Sequence, residues 1–432
     1  MIKNFPNDNV TCISPWYELR IDANGNMRCC HSIRQNETEK SDLSFLDWFN
    51  HGNQPTVIRN NIVNGKESSA CSACYYNEKN KLISHRILRN IQAAIYNGEY
   101  FKDSLEQSPA FKRMNRNTVV YPAFMHVTLS NLCNMKCRMC FPMYSSQLTD
   151  AYKKIGWMEA TEPTLNDWTV NDTKWNDFLQ LIEHNNQLVS LHFMGGEPLY
   201  HKRFYEFVDW CIDNNKTDFH LTFVTNGSVY KEDLFNKLLK FKSVQIEISI
   251  ENMHDTNNYI RMGFDFREIQ KNILKFASKE IPIILRTVPQ ALSIEHYETI
   301  LDFALEHNLG FDSNILDNPK YLKCYVLPKE LKIEIANKLR SKYMHILTAT
   351  SELNEVVHYR SPMGIKKHIE LLLIVLEESE PNDIDDLRHK FVEHNKQLDN
   401  VCDLKFKDMY PKLFDFYEKY LSLIHISEPT RQ

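Results

Sequence analysis

The chain has 432 residues, 43% hydrophobic and 25% charged, with a net charge of −5. That composition is ordinary for a soluble globular protein, and the small acidic balance argues against nucleic-acid binding by bulk electrostatics. The longest apolar run, Leu371 to Leu376, falls far short of the roughly 20 residues that span a bilayer, and the N-terminus MIKNFPNDNV lacks the apolar core of a signal peptide, so a cytoplasmic protein is expected.

At roughly 150 residues per domain the length suggests about three domains, or one large barrel with attachments. Eleven cysteines are many for a chain expected in a reducing compartment. Cys12, Cys29, Cys30, Cys71 and Cys74 crowd the start, and Cys133, Cys137 and Cys140 follow closely. Clustered cytosolic cysteines read as metal or redox sites. Cys211, Cys324 and Cys402 stand alone and read as small buried hydrophobes.

The first hundred or so residues look separate. Glu18 to Asp22, Asn24-Gly25-Asn26 and Met27-Arg28-Cys29 read as a hairpin with an Asn-Gly turn. Arg34 to Ser41 reads as a loop, and Lys81 to Tyr96 as a helix. Cys12, a hairpin cysteine and the Cys71/Cys74 CxxC can supply four thiolates, which suit zinc or an iron–sulfur cluster equally. Lys112, Arg113 and Arg116 could contact phosphates in a zinc-stabilised nucleic-acid-binding module, but they suit a solvated face better.

From Phe124 the pattern changes. Short β-rich runs at Met125–Leu129, Val189–Phe193, Leu221–Thr225, Val244–Ile250, Ile283–Val288 and Phe311–Leu316 alternate with amphipathic stretches such as Trp175–His184, Phe204–Asn214, Leu234–Phe241, Ile269–Ala277 and Tyr297–His307. This alternation predicts an α/β fold with a parallel sheet. Six units are too few for an eight-stranded barrel, so a partial (β/α)6 TIM barrel is expected, with its chemistry at the C-terminal strand ends. Beyond Pro328 the chain reads as helices, including Lys329–Tyr343, Lys366–Glu377 and Asp385–Gln397. The expected division is 1–110 for the cysteine-rich domain, 120–328 for the core and 329–422 for the helical region. Residues 423–432 follow no preceding pattern and are set aside as a non-native tail.

After the first core strand comes Cys133-Asn134-Met135-Lys136-Cys137-Arg138-Met139-Cys140. A four-iron cluster wants four ligands, so three thiolates on one loop leave one iron open. A closed zinc site wants a fourth Cys or His, and the nearest histidine, His126, lies within the strand. The second strand ends in Met194-Gly195-Gly196-Glu197-Pro198, the third in Thr225-Asn226-Gly227, and the fourth holds Ser249, followed by Arg261.

CNMKCRMC after a first barrel strand resembles the signature of the radical S-adenosylmethionine (SAM) superfamily. That pattern often has an aromatic residue where Met139 stands. The resemblance continues through GGEP, TNG, Ser249 and Arg261, each at a strand end, and covers about Phe124 to Leu316. It implies a [4Fe-4S] cluster on Cys133, Cys137 and Cys140 whose open iron takes the amino and carboxylate groups of SAM. It implies SAM-binding roles for Gly195, Gly196 and Glu197 (methionine amino group), Thr225 and Asn226, Ser249 (ribose) and Arg261 (carboxylate). Reductive cleavage of SAM to a 5′-deoxyadenosyl radical is the implied reaction, with flavodoxin or ferredoxin as reductant. The N-terminal cysteines resemble the auxiliary-cluster domains called SPASM and twitch, although those usually follow the barrel. That implies a second [4Fe-4S] cluster on Cys12, Cys30, Cys71 and Cys74, with Cys30 preferred over Cys29. Such enzymes act on peptides or on small molecules such as amino sugars, and a peptide is favoured slightly. Glu78 and Arg86 are expected either to position this domain or to lie on the surface.

Overall fold

The computed structural model of the chain describes residues 10–33, 37–79, 84–96, 119–314, 316, 318–348 and 362–427. Lys112, Arg113 and Arg116 lie outside them. The strands are β1 (Glu18–Ile21), β2 (Met27–Arg28), β3 (Phe124–Val127), β4 (Lys136–Cys137), β5 (Ser190–Phe193), β6 (His220–Thr225), β7 (Ser243–Ser249), β8 (Arg261–Met262), β9 (Ile283–Thr287) and β10 (Gly310–Ser313). Six of them, β3, β5, β6, β7, β9 and β10, fall where the periodicity places the core strands. Helices Asp172–His184, Lys202–Asp213, Glu232–Leu238, Phe266–Ala277 and Glu298–Glu306 alternate with them. The fold is α/β with a mostly parallel sheet.

The chain divides into two compact units. The first holds residues 1–131, 166–222 and 237–243. Its strand order is β2-β1-β3-β5 and then the start of β6. β1 pairs antiparallel with β2 across the Asn-Gly turn, and parallel with β3 from Glu18↔Phe124 to Ile21↔Val127. The N-terminal segment expected to stand apart therefore extends the sheet of the first core strand. Composition cannot show a pairing between strands a hundred residues apart. The outward face of this sheet is apolar: Leu191 and Phe193 are fully buried, and Phe193 meets Phe204 and Phe207 of helix Lys202–Asp213 edge-on. The helices begin on their own caps. Asn171 accepts from the Lys174 N–H, and His201 from the Arg203 N–H.

The second unit holds residues 132–165, 223–236 and 244–432. There the strand order is the end of β6, β7, β9 and β10. β7 and β10 each pair parallel with β9. A separate two-stranded antiparallel pair joins β4 to β8, with Cys137 opposite Arg261. Helices Lys329–Lys342, Pro362–Glu377, Ile384–Asp399 and Pro411–Ser427 form the C-terminal region, and the last runs into the segment set aside as a tail. No helix among the described residues is long and apolar enough to cross a membrane.

Candidate functional site

The loop from Cys133 to Cys140 belongs to the second unit and is fastened along its length. The Ser146 Oγ accepts from the Cys133 N–H at 3.3 Å, and the Ser145 Oγ donates to the Met135 carbonyl at 2.6 Å. Asn134 is held by the turn after β6: its Oδ1 accepts from Asn226 Nδ2 at 2.8 Å, and its Nδ2 donates to Ser228 Oγ at 2.9 Å. The remaining groups of that turn are engaged too, since Thr225 Oγ1 accepts from Gly227 N–H and Asn226 Oδ1 from Ser228 N–H. Asn226 thus braces the cysteine loop while Thr225 holds the turn that presents it, roles the motif itself does not reveal.

β8 supports the loop from the other side. Gly263 adopts φ +120, and a Cβ there would sit 2.7 Å from the Asn134 carbonyl, so only glycine fits. Arg261 stands opposite Cys137, and its Nη1 lies 3.7 Å from Cys137 Sγ. Its Nε and Nη2 both donate to Glu251 Oε1, at 3.0 and 2.6 Å. Glu251 is fully buried, and its Oε2 accepts from the Val288 N–H at 2.8 Å. Burial pushes the Glu251 carboxyl up, and the guanidinium pulls it back. The bidentate edge of Arg261, expected to face a SAM carboxylate, is thus already taken by Glu251. Glu251 escaped sequence reasoning because a lone acid after a strand carries no motif.

Arg138, between two of the cysteines, is buried and stacks on the Tyr259 ring at 3.6 Å. Its Nη2 donates to Asp399 Oδ1 at 2.6 Å, its Nη1 to Asn395 Oδ1 at 3.1 Å, and its Nε to the Tyr259 carbonyl at 2.9 Å. Helix Ile384–Asp399 thereby clamps the cysteine loop. Burial pushes the Cys137 thiol up and the Cys140 thiol up to about 12, so an unliganded loop keeps both protonated. Bound iron would supply the positive charge that stabilises the thiolates. Ser249 lies at the end of β7, half-buried, in register with Arg286.

In the first unit, Gly195 and Gly196 have φ of +74 and +57, left-handed conformations that favour glycine. Glu197 is buried, and its Oε1 accepts from the Leu199 N–H at 3.0 Å. Gly195 and Glu197, but not Gly196, border a small pocket at the ends of β3 and β5 together with Val127, Leu129, Ser130 and His201.

The first unit also gathers the N-terminal cysteines. Cys12, Cys30, Cys71 and Cys74 line one cavity, with Pro15, Ile33 and Ile58 among its apolar walls. Cys29 is absent from that lining; it is buried, and its N–H donates to Gln54. The Ser32 N–H points at Cys30 Sγ from 3.4 Å. Burial pushes Cys12 up to about 12, and burial with the nearby Cys74 pushes Cys71 up to about 11. Four thiols that line one apolar cavity suit a metal centre that would neutralise them, although no three of their sulfurs lie within 4.8 Å of one another. Arg86 ties the site together: it pairs with Glu78 at the end of the CxxC helix and donates from Nη1 to the Thr11 carbonyl at 2.8 Å. Of the lone cysteines, Cys211 and Cys324 are fully buried, while Cys402 is half-buried with its Sγ 2.9 Å from Met262 Sδ.

A family model described as Radical SAM superfamily matches residues 127–304. These residues are a radical SAM domain. The family's cofactors are a [4Fe-4S] cluster and SAM, which suit the three-thiol loop. Among curated proteins, the radical SAM cyclopropyl synthase TigE of Paramaledivibacter caminithermalis is 25% identical over 259 residues, covering 58% of this chain and 52% of that protein. The chain thus matches about half the length of that relative. Among solved structures, Streptococcus suis SuiB bound to S-adenosylmethionine is 14% identical with a TM-score of 0.38, over 78% of this chain and 71% of that one. Native anSMEcpe with bound AdoMet is 15% identical with a TM-score of 0.39, over 51% and 61%. The roles of individual residues rest on this chain's own geometry.

Proposed function

We propose that the chain is a radical SAM enzyme with two iron–sulfur sites. Cys133, Cys137 and Cys140 hold the SAM-binding [4Fe-4S] cluster, and Cys12, Cys30, Cys71 and Cys74 hold an auxiliary one. The observation that carries this reading is the three-thiol loop of the radical SAM domain, locked by Asn134, Arg138 and Gly263 and met at Cys137 by a buried guanidinium. Held by Cys133, Cys137 and Cys140, a reduced cluster would supply the electron for reductive cleavage of SAM and so the oxidising power for hydrogen abstraction.

This chain's residues orient and shield. Glu251 fixes the Arg261 guanidinium beside Cys137, and an N–H aimed at a ligating sulfur favours its charged form. Gly195, Gly196 and Glu197 would bind the SAM amino group. Ser249 would contact the ribose. The donor edge of Arg261 not used by Glu251 would meet the carboxylate. The substrate class is a peptide or a small metabolite, and an electron-transfer protein such as flavodoxin or ferredoxin would reduce the cluster. The auxiliary reading rests on four thiols lining one cavity. The test is anaerobic reconstitution with iron and sulfide, then SAM and dithionite. 5′-Deoxyadenosine should form, and Cys137→Ala should abolish it. Equal yields with and without Cys137 would reject the reading.

A further inference from the structure

Strands β1, β3 and β5 place a polar row on one face of the first unit. Arg20↔His126 and His126↔His192 are registered pairs, and Glu18 shares the face two residues before Arg20. The donors and acceptors of this row do not balance. Both oxygens of Glu18 are engaged: Oε2 accepts from Arg89 Nε at 3.1 Å and from His85 Nε2 at 3.0 Å, and Oε1 from the His31 N–H at 2.6 Å. Arg89 Nη2 also donates to His126 Nε2 at 2.8 Å. An arginine can only donate, so His126 carries its ring hydrogen on Nδ1. That Nδ1 is buried and has no acceptor among the described residues.

Arg20 is 5% exposed. Its Nη1 donates to His31 Nδ1 at 2.5 Å, and its Nε is buried without an acceptor. Among the described residues no carboxylate pairs with it. A buried guanidinium without an anion is costly, as is an unpaired donor beside it. The cluster holds Arg20, its cross-strand partner Arg28 and Arg89 against the single carboxylate of Glu18, so positive charge is in excess.

We propose that Arg20 and His126 form a binding site for a carboxylate of an amino-acid ligand. A metal ion suits the place less well. Glu18, His31 and His126 present ligand atoms within 4.8 Å of one another, as do Glu18, Cys30 and His85, but Arg20 holds His31 Nδ1, Arg89 holds His126 Nε2, and both guanidiniums would repel a cation. A carboxylate accepts two hydrogen bonds side by side and would satisfy both orphan donors and offset the excess charge. At one edge of the row the His85 and His126 side chains keep 20% and 15% of their surface exposed, and a carboxylate entering there must reach Arg20 Nε and His126 Nδ1, which are both buried. This inference does not depend on the radical reaction, and its test omits SAM.

The test is thermal unfolding of the full chain titrated with N-acetylglycine (a main-chain carboxylate), N-acetylglutamic acid α-amide (a side-chain carboxylate) and neutral N-acetylglycinamide, at constant ionic strength. At least one carboxylate should raise the melting temperature in a saturable way, the stronger naming the source, while the neutral amide should not. Arg20→Met should weaken that binding at least tenfold. It should also raise the melting temperature of the ligand-free protein, because it removes a buried unpaired charge. His126→Gln should weaken binding while leaving the fold intact. Equal effects of amide and carboxylate, unchanged binding in both variants, or an Arg20→Met protein that melts lower or fails to fold would each overturn the proposal.

Discussion

Arg261 shows how one side chain serves two neighbours. Its Nε and Nη2 are committed to Glu251, and Nη1 faces Cys137. Arg261→Ala should weaken SAM binding roughly ten- to a hundredfold, the equivalent of a charge-assisted contact of about 1.5–3 kcal/mol. It also strands Glu251 as a buried carboxylate, so the variant should lose stability as well. Arg261→Lys should recover the charge but not the fork. An anaerobic SAM titration checks this: unchanged affinity in Arg261→Ala would show that the contact is absent. The cysteines and Arg261 stand out as candidates because their spacing and order form a pattern, and the roles expected of them stay proposals. Glu251, Asn134 and Asp399 were not, because each works through a partner distant in sequence. His394 gives a pH dependence of known sign. Burial holds its imidazole down at about 4, against about 6.5 in an unfolded chain. Its Nε2 donates to the Arg138 carbonyl, and its Nδ1 accepts from Tyr321 Oη, so the neutral ring is the one the fold uses. The unfolded state binds the proton more readily, so stability is full above pH 6.5 and declines as pH falls toward 4. His394→Gln should flatten part of that decline in urea unfolding between pH 7 and 4.5, and an unaltered slope would contradict the assignment.

The elements around the cysteine loop make it a clamped device. Helix Ile384–Asp399 reaches it through Arg138, and β8 reaches it through the Cys137↔Arg261 pair. Asp399 accepts from Arg138, Tyr259 Oη and the Phe406 N–H, with Arg138 fully buried. Asp399→Ala should therefore cost about 3–5 kcal/mol, because it leaves a buried cation unpaired. The double change Arg138→Met with Asp399→Leu should restore much of the loss. Denaturant midpoints decide: a single variant as stable as the parent would remove the clamp from the account. The core strands and helices were legible from period-2 and helical patterning, to within a few residues. β4 and β8 are two-residue strands with no periodicity to read, and the β1–β3 pairing joins segments that sequence alone keeps apart. The C-terminal helices were visible as helices, but nothing in their pattern announced Arg138 as their partner.

At the scale of the molecule, the account assigns a cluster to each of two sets of cysteines. Two four-iron clusters require about eight irons per chain. Replacing Cys71 and Cys74 together should halve the iron without adding zinc, whereas about four irons plus one zinc in the parent protein would make the N-terminal site structural zinc. The radical SAM domain was legible because its motifs sit in order at strand ends. The substrate was not, because no residue pattern encodes a peptide or a metabolite. The central claim is that Cys133, Cys137 and Cys140 together support SAM cleavage. Its most direct test is 5′-deoxyadenosine formation by the reconstituted, dithionite-reduced full chain and by the three single Cys→Ala variants. The account predicts product from the parent chain and none from Cys133→Ala, Cys137→Ala or Cys140→Ala. Parental yield in any one of the three would contradict it.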